Sequence, residues 1–121
     1  MFIIRKEFAF CASHILKDLP EGHPCTRLHG HNYLIVVELR CKRKRELSPA
    51  GFVQDYRELD QIKKYIDEKL DHRHLNDELP IQPAAELLAE YLYNEWKPIY
   101  PKLFAVEVSE TPKTNARYDA S

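Results

Sequence analysis

The chain has 121 residues, 44% of them hydrophobic, a composition that suits one domain (residues 1–121) around one core. Its 18 basic and 19 acidic side chains leave a formal net charge of -1, so no global attraction to nucleic acid or to an anionic membrane operates. No apolar run approaches the ~20 residues that span a bilayer, the MFIIRKEFAF start lacks the layout of a secretory signal, and three cysteines without a CxxC pair point to a reduced, cytoplasmic protein.

Residues 2–13 alternate in character. Phe2, Ile4, Phe8 and Phe10 share one face, with Lys6 as the exception, and the period of two predicts a strand. Pro20, Gly22 and Pro24 make residues 15–28 a loop. A second strand follows, with Tyr33, Ile35, Val37, Leu39 and Cys41 on one face and Glu38, Arg40 and Lys42 on the other. The basic run Lys42–Arg45 precedes Ser48, Pro49 and Gly51 without interleaved aromatics, and reads as a solvated strand end. Gly51–Asp55 reads as a short extended return. The period then lengthens: Leu59, Ile62, Ile66 and Leu70 predict a helix with Asp55 as its cap. A loop at 71–82 leads to a second helix, with Pro83 in its first turn, Ala84, Leu88, Tyr91 and Leu92 as its stripe, and Pro98 at its end. Leu103–Val108 predicts a third strand, with Leu103, Ala105 and Glu107 opposite Phe104, Val106 and Val108. A short strand around Ala116–Tyr118 closes the chain. The order β-β-α-α-β-β predicts an α+β fold, a four-stranded antiparallel sheet with two helices on one face.

Three of six histidines lie in the stretch HPCTRLHGHNY. In an extended chain His29 and His31 point the same way, roughly 6.6 Å apart at Cα for a rise of ~3.3 Å per residue. Gly30 between them leaves room for a close approach. His14 ends the first strand, and hairpin pairing would bring it beside His29. Three neutral imidazoles suit Zn²⁺ with an open fourth position; a closed site with Cys25 as fourth ligand is the alternative. A thiolate beside a metal is activated, which makes Cys25 a candidate nucleophile or base, whereas Cys11 and Cys41 read as inert packing residues within strands. The carboxylate of Asp71 can fix the tautomer of His72. His23 and His74 read as surface or packing residues. Glu110, at the end of VSET, can accept two N–H bonds from the guanidine-like edge of a heterocycle.

The segments FAFCASH, CTRLHGHNY, GFVQDY, LDHRHLND and VSET, in this order over nearly the whole chain, resemble the 6-pyruvoyltetrahydropterin synthase / 6-carboxytetrahydropterin synthase family of the tunnelling fold. The resemblance implies a ββααββ subunit. Three subunits would close their sheets into a barrel, two rings would stack into a homohexamer, and the active sites would lie between subunits. It implies 7,8-dihydroneopterin triphosphate as substrate, elimination of triphosphate, and a zinc on His14, His29 and His31 that binds the substrate's side-chain hydroxyls. It further implies Cys25 as proton-abstracting base, Asp71–His72 as second acid/base unit, and Glu110 as the substrate-binding anchor of the pterin ring. PEGHPCTRLHGH is closest to the bacterial 6-carboxytetrahydropterin synthases of the queuosine route, whose products include acetaldehyde. A 6-pyruvoyltetrahydropterin synthase and a non-catalytic zinc- or pterin-binding protein are the alternatives. One departure stands out: Pro83-Ala84-Ala85-Glu86 lacks the hydroxyl that relatives often carry at the start of this helix.

Overall fold

The alternating stretch at the start of the chain forms one long strand, β1 (Phe2–His14), in the computed structural model, which describes residues 1–121. It pairs antiparallel along its whole length with β2 (His29–Cys41), in a register that sets Phe10 beside Tyr33 and His14 beside His29. Strand β4 (Leu103–Ser109) pairs antiparallel with β2, and β5 (Ala116–Asp119) with β4. Between them lie α1 (Asp60–Lys69) and α3 (Ala85–Trp96). The predicted stripe Leu59, Ile62, Ile66 and Leu70 is buried.

The predicted loop at 71–82 differs. It contains β3 (Arg73–His74) and the single turn α2 (Leu75–Glu78). Strand β3 adds parallel to β1, so the sheet has five strands in the order β3-β1-β2-β4-β5 and is not wholly antiparallel. A two-residue strand and a one-turn helix are too short to leave a period in the sequence. Three other expectations shift. Gly51–Asp55 forms no strand: Ser48 gathers a turn by accepting Gly51 N–H on its carbonyl (2.8 Å) and Phe52 N–H on its Oγ (3.1 Å). Asp55 caps a 3₁₀ turn at Tyr56–Leu59, ahead of α1, rather than α1 itself. In β4 the simple alternation fails, because an irregularity opposite Glu38/Leu39 lets Leu103 join Val106 and Val108 in the core.

The apolar faces of β1, β2 and β4 meet α1 and α3 in one core, which buries Trp96, Tyr33, Leu88 and Leu92. Phe10 and Tyr33 stack with centroids 4.9 Å apart. The helix-free face is different in kind. There Glu38 and Glu107 are buried among Arg5, Arg40 and Arg117, with Arg40 Nε donating to Glu38 at 2.6 Å. Burial pushes the Glu38 carboxyl up, but Arg117 and Arg40 outweigh it and hold the group below the usual carboxylate range. No helix is long and apolar enough to cross a membrane.

Candidate functional site

The β1–β2 register decides where the histidines stand. His14 pairs with His29, and Ala12 with His31, so all three imidazoles gather at one end of the hairpin. His14 is fully buried. Its Nδ1 lies 2.8 Å from the Pro83 carbonyl, and His29 Nδ1 lies 2.7 Å from the Arg27 carbonyl. A carbonyl only accepts, so each Nδ1 carries the proton and each Nε2 presents a lone pair. Those two Nε2 atoms face each other at 2.9 Å. Two lone pairs at that distance repel unless a proton or a cation stands between them. His31 Nε2 is buried without a well-formed hydrogen bond.

Glu110 completes the group. Its Oε2 is 2.9 Å from His31 Nε2 and 3.3 Å from His14 Nε2. One donor atom from each of His14, His29, His31 and Glu110 lies within 4.8 Å of every other, close enough to hold a metal ion. When the imidazoles carry a second proton, a hydrogen bond from His14 first, and then the charges of the three rings, hold Glu110 below the usual carboxylate range against burial. Burial pulls His14 down, but Glu110 and the Pro83 carbonyl outweigh it and its pKa is raised. Burial, with His14 and His29 nearby, lowers His31. Backbone carbonyls behind two imidazoles fix the ligand tautomer, as outer partners of metal-bound histidines do. The donor set therefore fits a divalent metal. The sequence leaves the fourth position open or gives it to Cys25; in the structure the fourth donor of the cluster is the Glu110 carboxylate, and Cys25 is not among the clustered atoms.

Cys25 lies half-buried in a 3₁₀ turn, Pro24–Thr26. Its N–H donates to His23 Nδ1 (3.1 Å), and its carbonyl accepts from Leu16 N–H (2.9 Å), tying the loop to the chain just past His14. His23 is thus a turn cap.

Asp71 and His72 are brought together by β1. Asp71 Oδ1 accepts Cys11 N–H at 3.0 Å and lies 3.0 Å from His72 Nδ1. His72 N–H donates to the Cys11 carbonyl at 2.6 Å. These bonds hold His72 at φ 59°, in the left-handed region, which an L-residue occupies only when its surroundings fix it there. The Cys11 N–H, and then His72, hold the Asp71 carboxyl below its ordinary range. The His72 ring is 80% exposed.

His31 and His72 line one cleft together with Cys11, Ser13, Arg73 and His74. Cys25 does not line it. The cleft corrects two expectations. Cys11 is exposed, its thiol donating to Asn32 Oδ1 at 2.8 Å, because it sits on the helix-free face of β1. His74 is neither simple surface nor packing: its Nδ1 is 3.0 Å from Ser13 Oγ. The sequence carries no signal for that pair, since it depends on the two-residue parallel pairing of β3.

A family model described as 6-pyruvoyl tetrahydropterin synthase matches residues 3–121. The chain belongs to this family. A relative from Synechocystis sp. named 6-carboxy-5,6,7,8-tetrahydropterin synthase is 38% identical over 122 aligned positions, covering 98% of this chain and 93% of its own. One of the same name from Haemophilus influenzae is 27% identical and covers 98% and 99%. The solved 6-pyruvoyl tetrahydropterin synthase of Caenorhabditis elegans superposes with a TM-score of 0.83 at 25% identity, covering 99% of this chain and 96% of its own. Within the family this chain is a 6-carboxytetrahydropterin synthase-like enzyme.

Proposed function

We propose that the chain is a zinc-dependent lyase that converts 7,8-dihydroneopterin triphosphate and one water to 6-carboxy-5,6,7,8-tetrahydropterin, acetaldehyde and triphosphate, as in queuosine biosynthesis. The observation that carries the reading is the convergence of the His14 and His29 Nε2 atoms at 2.9 Å with both Nδ1 atoms turned onto carbonyls, in a chain so similar to a 6-carboxytetrahydropterin synthase. Zinc on His14, His29 and His31 supplies Lewis acidity toward the hydroxyls of the substrate side chain.

The residues divide the remaining work. Cys25 takes a proton from the side chain of the substrate. Asp71 fixes His72 with Nδ1 protonated, so His72 Nε2 is free to accept or return a proton. Glu110 accepts N–H bonds from the pterin edge once it turns from the imidazoles. A hexamer of two stacked trimers fits the open edge that β1 presents beyond the short β3, and the exposure of His72 suits it to a site shared between subunits.

Product analysis of an anaerobic reaction of the zinc-loaded protein tests the reading. Acetaldehyde and 6-carboxytetrahydropterin are expected, and pyruvoyltetrahydropterin without acetaldehyde would transfer the chain to the pyruvoyl branch. Cys25→Ser is expected to keep its zinc and lose at least about 100-fold in turnover, since a hydroxyl is a far weaker acid than a thiol. A wild-type rate would remove Cys25 from the mechanism.

A further inference from the structure

Just past His14, the hydrogen bonds of residues 15–17 alternate as in a strand, yet no strand lies beside them. In an extended chain the N–H and C=O groups of residues i and i+2 point to the same edge. Those of Ile15 and Lys17 each meet one carboxamide. Ile15 N–H donates to Asn76 Oδ1 at 2.8 Å, and its carbonyl accepts from Asn76 Nδ2 at 2.9 Å. Lys17 N–H donates to Gln82 Oε1, and its carbonyl accepts from Gln82 Nε2, both at 2.9 Å. A primary amide carries a donor beside an acceptor, so each side chain returns both bonds that a neighbouring strand would make. Leu16, between the two, uses the opposite edge, where its N–H reaches the Cys25 carbonyl at 2.9 Å. Both amides stand on buried supports. Leu75 and Leu79 lie on either side of Asn76, and Pro83, whose carbonyl faces His14 Nδ1, follows Gln82.

We infer that Asn76 and Gln82 are positioning residues for Cys25, an inference that rests on the reading of Cys25 as the base. Through the backbone of residues 15–17 they hold the loop that carries this thiol against the end of β1. Cys25 N–H stays within its own turn, on His23 Nδ1. The other backbone bonds of that turn join Pro20, His23, Pro24, Thr26 and Arg27 to one another. Across the loop, the Leu16–Cys25 bond therefore sets how far Cys25 stands from the strand that ends in His14. A base must lie within hydrogen-bond reach of the proton it takes, and a misplacement of about 1 Å costs on the order of 100-fold in rate. Neither amide is among the clustered metal donors, so their loss frees the loop without removing a ligand.

Amide hydrogen exchange and alkylation of Cys25 by iodoacetamide, read by peptide mass mapping, test this in the zinc-loaded full chain, with zinc content checked in every variant. Asn76→Leu and Gln82→Met keep the side-chain size and lose both bonds. Each is expected to speed exchange of Leu16 N–H, which neither side chain touches, about tenfold or more, the loss of two net hydrogen bonds. Cys25 alkylation is expected to rise several-fold with it. Gln82→Glu, which keeps the acceptor for Lys17 N–H and loses the donor to its carbonyl, is expected to fall between. Alkylation of the exposed Cys11 and exchange at Val37, in the middle of β2, are expected to stay as in wild type. Faster exchange at Ile15 and Lys17 with Leu16 and Cys25 unchanged would overturn the inference. So would equal acceleration at Val37, a general loss of stability, and so would loss of zinc, which would make the amides supports of His14. In turnover of 7,8-dihydroneopterin triphosphate, kcat is expected to fall at least about tenfold in Asn76→Leu and Gln82→Met, with KM within about twofold. Wild-type kcat in these variants, where Cys25→Ser is inactive, would overturn the positioning role. Wild-type kcat in Cys25→Ser itself ends the reading of Cys25 as base, and exchange at Leu16 with alkylation of Cys25 then decides the role of the amides alone.

Discussion

Gly30→Ala tests whether the metal cluster depends on how closely β1 and β2 approach. A Cβ at this position meets the Ala12 carbonyl oxygen at 3.2 Å, tighter than ordinary van der Waals contact, and that oxygen belongs to strand backbone that cannot swing aside. The strands must part by a few tenths of an ångström between the two residues that carry His29 and His31. Overpacking costs about 1–3 kcal/mol, and the stiffer alanine returns about 0.5–1 kcal/mol from the unfolded chain. A net loss of about 1 kcal/mol without metal follows, or roughly 3–5 °C in Tm for a chain of this size. With zinc the loss grows. Displaced imidazoles are expected to bind the ion about tenfold more weakly, which removes a further ~1.4 kcal/mol of linked stability. The assay is thermal unfolding in chelator and in excess zinc, with chelator competition for the affinity. The expected result is a Tm drop about twice as large in zinc as in chelator. Equal drops, with unchanged zinc affinity, would refute the reasoning.

Glu110→Gln is expected to retain about one zinc per chain and to lose dihydroneopterin binding; loss of metal instead would make Glu110 a ligand. Glu38, buried among three arginines, has its pKa depressed by folding, so its stabilisation is present above the ordinary value of 4.5 and is lost as pH falls through the folded value. Glu38→Gln should accordingly cost about 2 kcal/mol at pH 7, discounted for the partly exposed arginines, and flatten the fall in stability below about pH 4.5, as read by denaturant melts across pH. Ala84 is the N-cap of α3 and offers no side-chain acceptor. Ala84→Thr should raise stability by about 0.5–1 kcal/mol in the same melts, and tighten dihydroneopterin in calorimetry if its hydroxyl reaches the ring.

The sequence made some of this legible and not the rest, for physical reasons. Long periodic segments announce themselves, so β1, β2, α1 and α3 could be read from the spacing of Phe8, Phe10, Ile35, Val37, Ile62, Ile66 and Leu88. His14, His29 and His31 converge because both strands are regular and their pairing follows from the hairpin. The contents of residues 71–82 were not legible, because β3 is held by two residues of long-range pairing and no local preference encodes it. Cys11 was misplaced because alternation names two faces but not which one the helices cover. The nearness of Glu110 to the imidazoles depends on where β4 ends beside β2, which the irregularity opposite Glu38 shifts.

Cys11 N–H spends its hydrogen bond on Asp71 Oδ1, at the edge where β1 has no continuous neighbour. An amide proton bonded to a carboxylate is deshielded while the carboxylate is charged, and relaxes when it is protonated. The backbone resonance of Cys11 therefore serves as a built-in titration probe of the Asp71–His72 pair. Its chemical shift should follow the protonation of Asp71 through the acid range, and in Asp71→Asn it should lose that dependence. Because the same strand ends three residues later in His14, a metal titration followed at Cys11 would also show whether loading the imidazoles is felt by the acid/base pair through one continuous piece of backbone.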